Sequence, residues 1–155
     1  VRRIVTGTDA SGTSRFESIE DTATQFTELW ASVPGDPLVA AQPGGSPRLE
    51  PPPGALTWRV FELPDDAVVA EFLRAQGAGK LAAHSLDTAA DAGFHRTNTL
   101  DTVLILDGEI TLELDHGAVT IGPGDCVVQR ATNHAWRNKS GKPVRMAVLM
   151  LGLAK

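Results

Sequence analysis

Two histidines and a carboxylate stand where they could do chemistry. His95, Thr97, Thr99, Asp101, Val103 and Ile105 all have odd numbers, so a strand through them places all six on one face. That face is polar at its start and apolar at its end, as in a barrel whose open mouth holds a site and whose closed end holds core. His95 and Asp101 can ligate a metal or move a proton. His134, Trp136 and Asn138 share a face in the same way, which sets a second imidazole beside an indole and an amide. Gln129, on the face of Val127, either lines the same cavity or pairs with backbone. Equally, His95 and His134 can be buried or rim histidines hydrogen-bonded to Asp101 with no metal at all.

The remaining reactive side chains suggest less. Cys126, beside Val127-Val128, is expected to be a small buried hydrophobe. His116 belongs to a turn, and His84 to a surface connection leading to the barrel. Arg96, Arg130 and Arg137 could draw in a carboxylate or simply coat a solvated face. No serine has a base placed to activate it. Gly122-Pro123-Gly124 joins strand to strand, so it does not cradle phosphate at a helix start.

Positioning these groups requires strands. Thr99–Leu106, Glu109–Leu114, Ala118–Ile121, Cys126–Arg130, His134–Asn138 and Val144–Leu151 read as short strands. Turn signals separate them at Asp107-Gly108, Asp115-His116-Gly117, Gly122-Pro123-Gly124-Asp125 and Ser140-Gly141. Upstream, Thr57–Leu63 alternates as a strand. Asp65 or Asp66 then caps a helix over Ala67–Gln76, the one convincing helix of the chain. Arg2–Thr6, Ser14–Glu17 and Thr27–Ala31 are expected strands, with a turn over Gly7–Gly12 between the first two. Seven of the ten prolines lie between Pro34 and Pro53, which marks a long surface loop or arm. Many short strands and one helix predict an all-β sandwich or barrel.

At this point the pattern resembles the cupins, small jelly-roll barrels with two short motifs. The first family motif is His-x-His, three or four residues, Glu, six residues, Gly. Here His95, Thr97, Asp101 and Gly108 keep that spacing, with Thr97 in place of the second histidine and Asp101 in place of the glutamate. Pro123-Gly124-Asp125 and His134 through Asn138 follow the order of the second motif. The resemblance implies a double-stranded β-helix over residues 55–155, with 1–54 as an N-terminal extension of strands and Pro-rich arm. It also implies a divalent metal (Zn, Fe, Mn or Ni) on His95, Asp101 and His134, and a homodimer to which the N-terminal strands contribute. Thr97, Gln129, Trp136, Val103 and Ile105 would then line the substrate.

The composition excludes some partners. The net charge is −5, from 14 basic and 19 acidic residues, and no basic run exceeds two, which argues against nucleic acid and anionic membranes. One cysteine suits a reducing compartment, and the first residues lack the apolar core of a signal peptide, so a cytoplasmic location is expected. Three functions follow in order of expectation. The first is a metal-dependent lyase or isomerase (decarboxylation, dehydration or cyclisation) on a compact organic, aromatic or polyketide-like molecule, with Asp101, His134 and His95 as its catalytic groups and an Fe(II) dioxygenase as the variant. The second is a non-catalytic small-molecule binder that has lost its metal. The third is an assembly role for the N-terminal strands.

Overall fold

A computed structural model describes residues 1–41, 49–76 and 93–154. In chain order it contains β1 (Arg2–Thr8), β2 (Ser14–Asp21), β3 (Phe26–Val33), β4 (Asp36–Ala40), β5 (Leu56–Leu63), α1 (Asp66–Gln76), β6 (Thr99–Asp107), β7 (Ile110–Leu114), β8 (Ala118–Ile121), β9 (Cys126–Arg130), β10 (His134–Arg137) and β11 (Val144–Gly152). Six strands form one antiparallel sheet in the order β4-β3-β5-β11-β6-β9, and three form another in the order β10-β7-β8. The sheets close on a core of Val103, Ile105, Ile110, Val144, Met146, Val148 and Met150, with Trp136 and Ile121 of the smaller sheet packed against it. This is the all-β double-stranded β-helix. None of its described helices is long and apolar enough to cross a membrane.

Register explains where the polar end of the barrel lies. Residues directly opposite in an antiparallel pair send their side chains to the same side. Across β5, β11, β6 and β9 one rung therefore reads Thr57, Met150, Asp101, Gln129, and the next Arg59, Val148, Val103, Val127. The expected odd-numbered face is real: Thr97, Thr99, Asp101, Val103 and Ile105 are all buried. At the turn after β6, Gly108 has φ 83°, and a Cβ there would meet Val144 Cγ2 at 2.9 Å. Only glycine fits both demands. Asp65 caps α1, its Oδ1 accepting the Ala67 amide at 2.9 Å.

Several expectations need correction. The strand does not run through His95, because β6 starts at Thr99. The Pro-rich stretch is not all loop: β4 lies inside it, and its proline is tolerated because β4 is an edge strand paired only with β3. β1 continues through Gly7 to Thr8, so the turn is tighter than expected and is closed by Asp9, whose Oδ1 accepts the Ser11 and Thr13 amides. β3 pairs with β5, so the extension is continuous with the large sheet. β1 and β2 form their own two-stranded sheet.

Asn138 is fully buried and spent on structure. Its Nδ2 donates to the Leu63 and Lys142 carbonyls at 3.0 and 2.7 Å, and its Oδ1 accepts from the Ser140 amide and hydroxyl at 3.1 and 2.7 Å. It joins the start of β11 to the end of β5, and it does not face the site. Asn138→Ala strands two carbonyls and a turn, so it should lower the unfolding free energy by about 3 kcal/mol in urea titration. A loss below about 1 kcal/mol would contradict this role.

Candidate active site at the polar end of the barrel

His95 and His134 meet through their backbones. The His95 amide donates to the His134 carbonyl at 2.9 Å, and the His134 amide returns the bond at 3.0 Å. This isolated bridge joins the segment entering β6 to the first residue of β10. The rings follow, with centroids 4.3 Å apart. Trp136 stands edge-on to His134 with centroids 6.2 Å apart. Just before β10, Ala131 adopts a left-handed φ of 50° and its amide donates to the Thr99 carbonyl at 3.0 Å. A non-glycine residue held there is uncommon and fixes the turn that delivers His134.

Each imidazole folds back on the carbonyl two residues earlier. His134 Nδ1 is 2.9 Å from the Thr132 oxygen and His95 Nδ1 is 3.1 Å from the Gly93 oxygen. A carbonyl only accepts, so both Nδ1 atoms carry a hydrogen, and either ring in its neutral form keeps its lone pair on Nε2. Burial pushes His134 down to about 4, and the neighbouring His95 adds to the depression against the pull of the Thr132 carbonyl. His134 is therefore a neutral imidazole at physiological pH.

Asp101 is 4% exposed. Its Oδ2 accepts the Gln129 amide Nε2 at 2.9 Å, while its Oδ1 has no partner. Burial pushes the carboxyl up from its ordinary value, Thr99, Gln129 and His95 pull it down, and Glu50 adds to the push. The Thr99 hydroxyl donates to Thr97 Oγ1 at 2.8 Å.

The expected site residues are thus only partly gathered. His95, Thr97, Asp101, Gln129, His134 and Trp136 occupy the polar end. Val103 lies one rung below Asp101 and Ile105 two rungs below, both inside the core. The donor chemistry of two free Nε2 atoms and a free carboxylate oxygen suits a metal, but the convergence does not. Among the described residues no three His, Cys, Asp or Glu side chains stand close enough together to hold one. His95, Asp101 and His134 thus do not form such a group, and one oxygen of Asp101 is engaged by Gln129.

Cys126 is exposed, contrary to expectation, because it stands opposite Leu104 on the outside of the sheet. His116, Arg96 and Arg130 are exposed, Arg137 is paired with Glu113 at 2.8 Å, and His84 lies outside the described residues. Thr57 and Arg59 were missed. Their shared parity with Phe61 and Leu63 was the available signal for an inward-facing pair. A cavity of about 640 Å³ lies elsewhere, between β1 and the outer sheet face, lined by Trp30, Trp58, Leu104 and Leu106. It contains none of these polar groups.

Residues 84–151 match the family model described as Cupin domain. The chain is 55% identical over 47 residues to Phomopsin biosynthesis cluster protein D of Diaporthe leptostromiformis, covering 30% of this chain and 25% of that protein. It is 46% identical over 48 residues to Oryzines biosynthesis cluster protein J of Aspergillus oryzae, covering 30% and 27%. It is 38% identical over 65 residues to the cupin-domain-containing oxidoreductase fogC of Aspergillus ruber, covering 39% and 32%. The matched segments thus span about a quarter to a third of the length of these curated relatives. Among solved structures, a cupin-family protein with a double-stranded β-helix fold from Methanocaldococcus jannaschii superposes with a TM-score of 0.42 at 15% identity, over 63% of this chain and 70% of that one.

The buried neutral His134 has a consequence for stability. Between its ordinary value of 6.5 and about 4, the unfolded chain takes up a proton that the folded chain refuses. Stability is therefore highest above this window and falls as pH drops through it, by on the order of 3 kcal/mol. Asp101 works in the opposite sense, since burial raises its carboxyl and the folded chain keeps that proton to higher pH than the unfolded one. Comparing wild type with His134→Gln isolates the histidine: urea unfolding at pH 7 and pH 4.5 should show the steeper loss in wild type. Equal slopes would contradict the buried neutral imidazole.

Proposed function

We propose that this chain, whose residues 84–151 match the Cupin domain model, is a small-molecule enzyme whose site is the polar end of the barrel and whose chemistry is proton transfer of the lyase or isomerase type. The observation that carries the proposal is the histidine pair: two rings 4.3 Å apart, each held with its Nε2 lone pair free, at the same barrel end as a buried carboxyl. The relatives in biosynthesis clusters and the cupin-domain-containing oxidoreductase favour a small organic substrate.

Roles follow from position. The neutral His134 Nε2 accepts a hydrogen bond from a substrate O–H or N–H and fixes its orientation. Asp101 gives or takes the proton in the dry interior, because burial brings its two protonation states closer in energy than for a free carboxyl. His95, half-buried where His134 is closed off, exchanges that proton with solvent. Trp136 and Met150 supply apolar walls for the carbon skeleton.

The test is consumption of substrate from a small-molecule extract, followed by mass spectrometry. His134→Ala and Asp101→Asn should each lower turnover at least a hundredfold while the circular dichroism spectrum stays unchanged. A fully active His134→Ala protein would overturn the site. Metal content measured on tag-free protein should fall well below one ion per chain. Stoichiometric metal that is lost in both His95→Ala and Asp101→Ala would overturn the proton-transfer reading in favour of a metal centre.

A further inference from the structure

We propose that the rung Thr57–Asp101–Gln129 recognises the substrate through a nitrogen bearing N–H donors, an amine, and turns carboxylates away. The proposal rests on the barrel interior being the small-molecule site and specifies what that site selects.

Among the described residues four buried side-chain atoms lack a hydrogen-bond partner: Thr57 Oγ1, Asp101 Oδ1, Gln129 Oε1 and Arg145 Nε. Three of the four belong to one rung. Thr57 pairs with Met150, Met150 with Asp101, and Asp101 with Gln129, so their side chains share the barrel-facing side of neighbouring strands. All three residues are between 4% and 6% exposed. Folded proteins rarely leave buried polar atoms unpaired, and three in one row mark a place where a hydrogen-bonding ligand would be held.

The chemistry of a fitting ligand follows from the side-chain atoms that have no protein partner. Gln129 points its NH₂ at the Asp101 carboxylate, since the opposite orientation would set oxygen against oxygen, so its carbonyl is what remains. Asp101 Oδ1 is likewise an acceptor. These neighbouring oxygens require a donor, and an amine provides one. Thr57 stands on the other side of Met150 and can donate or accept, which suits a hydroxyl further along the same ligand. Met150, between them, offers a polarisable apolar floor for the carbon body.

Net charge does not decide the matter, because His95 pulls the Asp101 carboxyl down while Glu50 pushes it up, and Arg59 Nη1 reaches Met150 Sδ at 3.9 Å. The nearby buried cation, Arg59, is already engaged. Its Nε and Nη2 donate to Glu28 Oε2 at 3.1 and 3.0 Å, and its Nη1 donates to the Leu49 carbonyl at 3.2 Å. A carboxylate would therefore bring acceptors to acceptors.

Matched probes test this: benzylamine, 4-hydroxybenzylamine and benzoate, each titrated into ¹⁵N-labelled protein while the backbone amides of Thr57, Asp101 and Gln129 are followed. Benzylamine should shift these amides saturably and benzoate should not. Gln129→Leu should weaken benzylamine about tenfold. 4-Hydroxybenzylamine should bind about fivefold more tightly than benzylamine, and Thr57→Val should abolish that advantage. Should Gln129→Leu fail to fold, the Thr57→Val comparison decides alone, and an undiminished advantage in that variant overturns the rung. Benzoate binding at these amides more tightly than benzylamine would overturn the amine selection but leave the barrel site standing. If no probe moves these amides, while one moves those of Trp58 and Leu104 at the outer cavity, both the rung and the barrel site are overturned.

Discussion

The paired backbone hydrogen bonds between His95 and His134 are the interaction on which the rest of the site depends. Opposed residues in such a pair send their side chains the same way with their Cα atoms about 5.5 Å apart. One bridge thus brings an imidazole from the segment entering β6 and one from β10 to ring contact, with centroids at 4.3 Å. The carbonyls of Gly93 and Thr132, each two residues upstream, then choose the tautomer. Position and tautomer of both rings are consequences of backbone geometry. They do not need a metal to hold them in place.

Below that bridge the barrel divides by rung. Asp101 and Gln129 close one layer, and Val103, Ile105, Val144, Met146 and Val148 fill those beneath it. Burying a carboxyl and several unpaired oxygens is unfavourable, and a fold tolerates it only where apolar packing elsewhere offsets the cost. Functional sites commonly carry such locally unfavourable groups. The same low-dielectric surroundings that raise Asp101 and depress His134 draw their protonation states towards neutrality, the condition in which protons are exchanged at small cost.

Much of this was legible in the sequence, and for a simple reason. Strand parity is a local property, so Thr97 to Ile105 could be assigned to one face without knowing their partners. Asp107-Gly108 marked its hairpin because the turn needs a positive φ, and Asp65 marked the start of α1. What escaped depended on register. That Thr57 stands in line with Asp101 follows from two strand pairings through Met150, and neither pairing is written locally. Cys126 among valines gave no hint of which valine faces inward. Asn138 kept the spacing of a site residue but serves a turn, since its partners Leu63 and Lys142 converge only in three dimensions. Pro37 masked β4 because an edge position is invisible until the sheet is known.

The account is tested most directly by long-range ¹H–¹⁵N correlation spectra of the histidine side chains, recorded from pH 8 to pH 4 with His95 and His134 assigned by substitution. It predicts that both rings carry hydrogen on Nδ1 at neutral pH, and that His134 stays neutral until pH approaches about 4. A ring with hydrogen on Nε2 and none on Nδ1, or a His134 that titrates near 6.5, would contradict it.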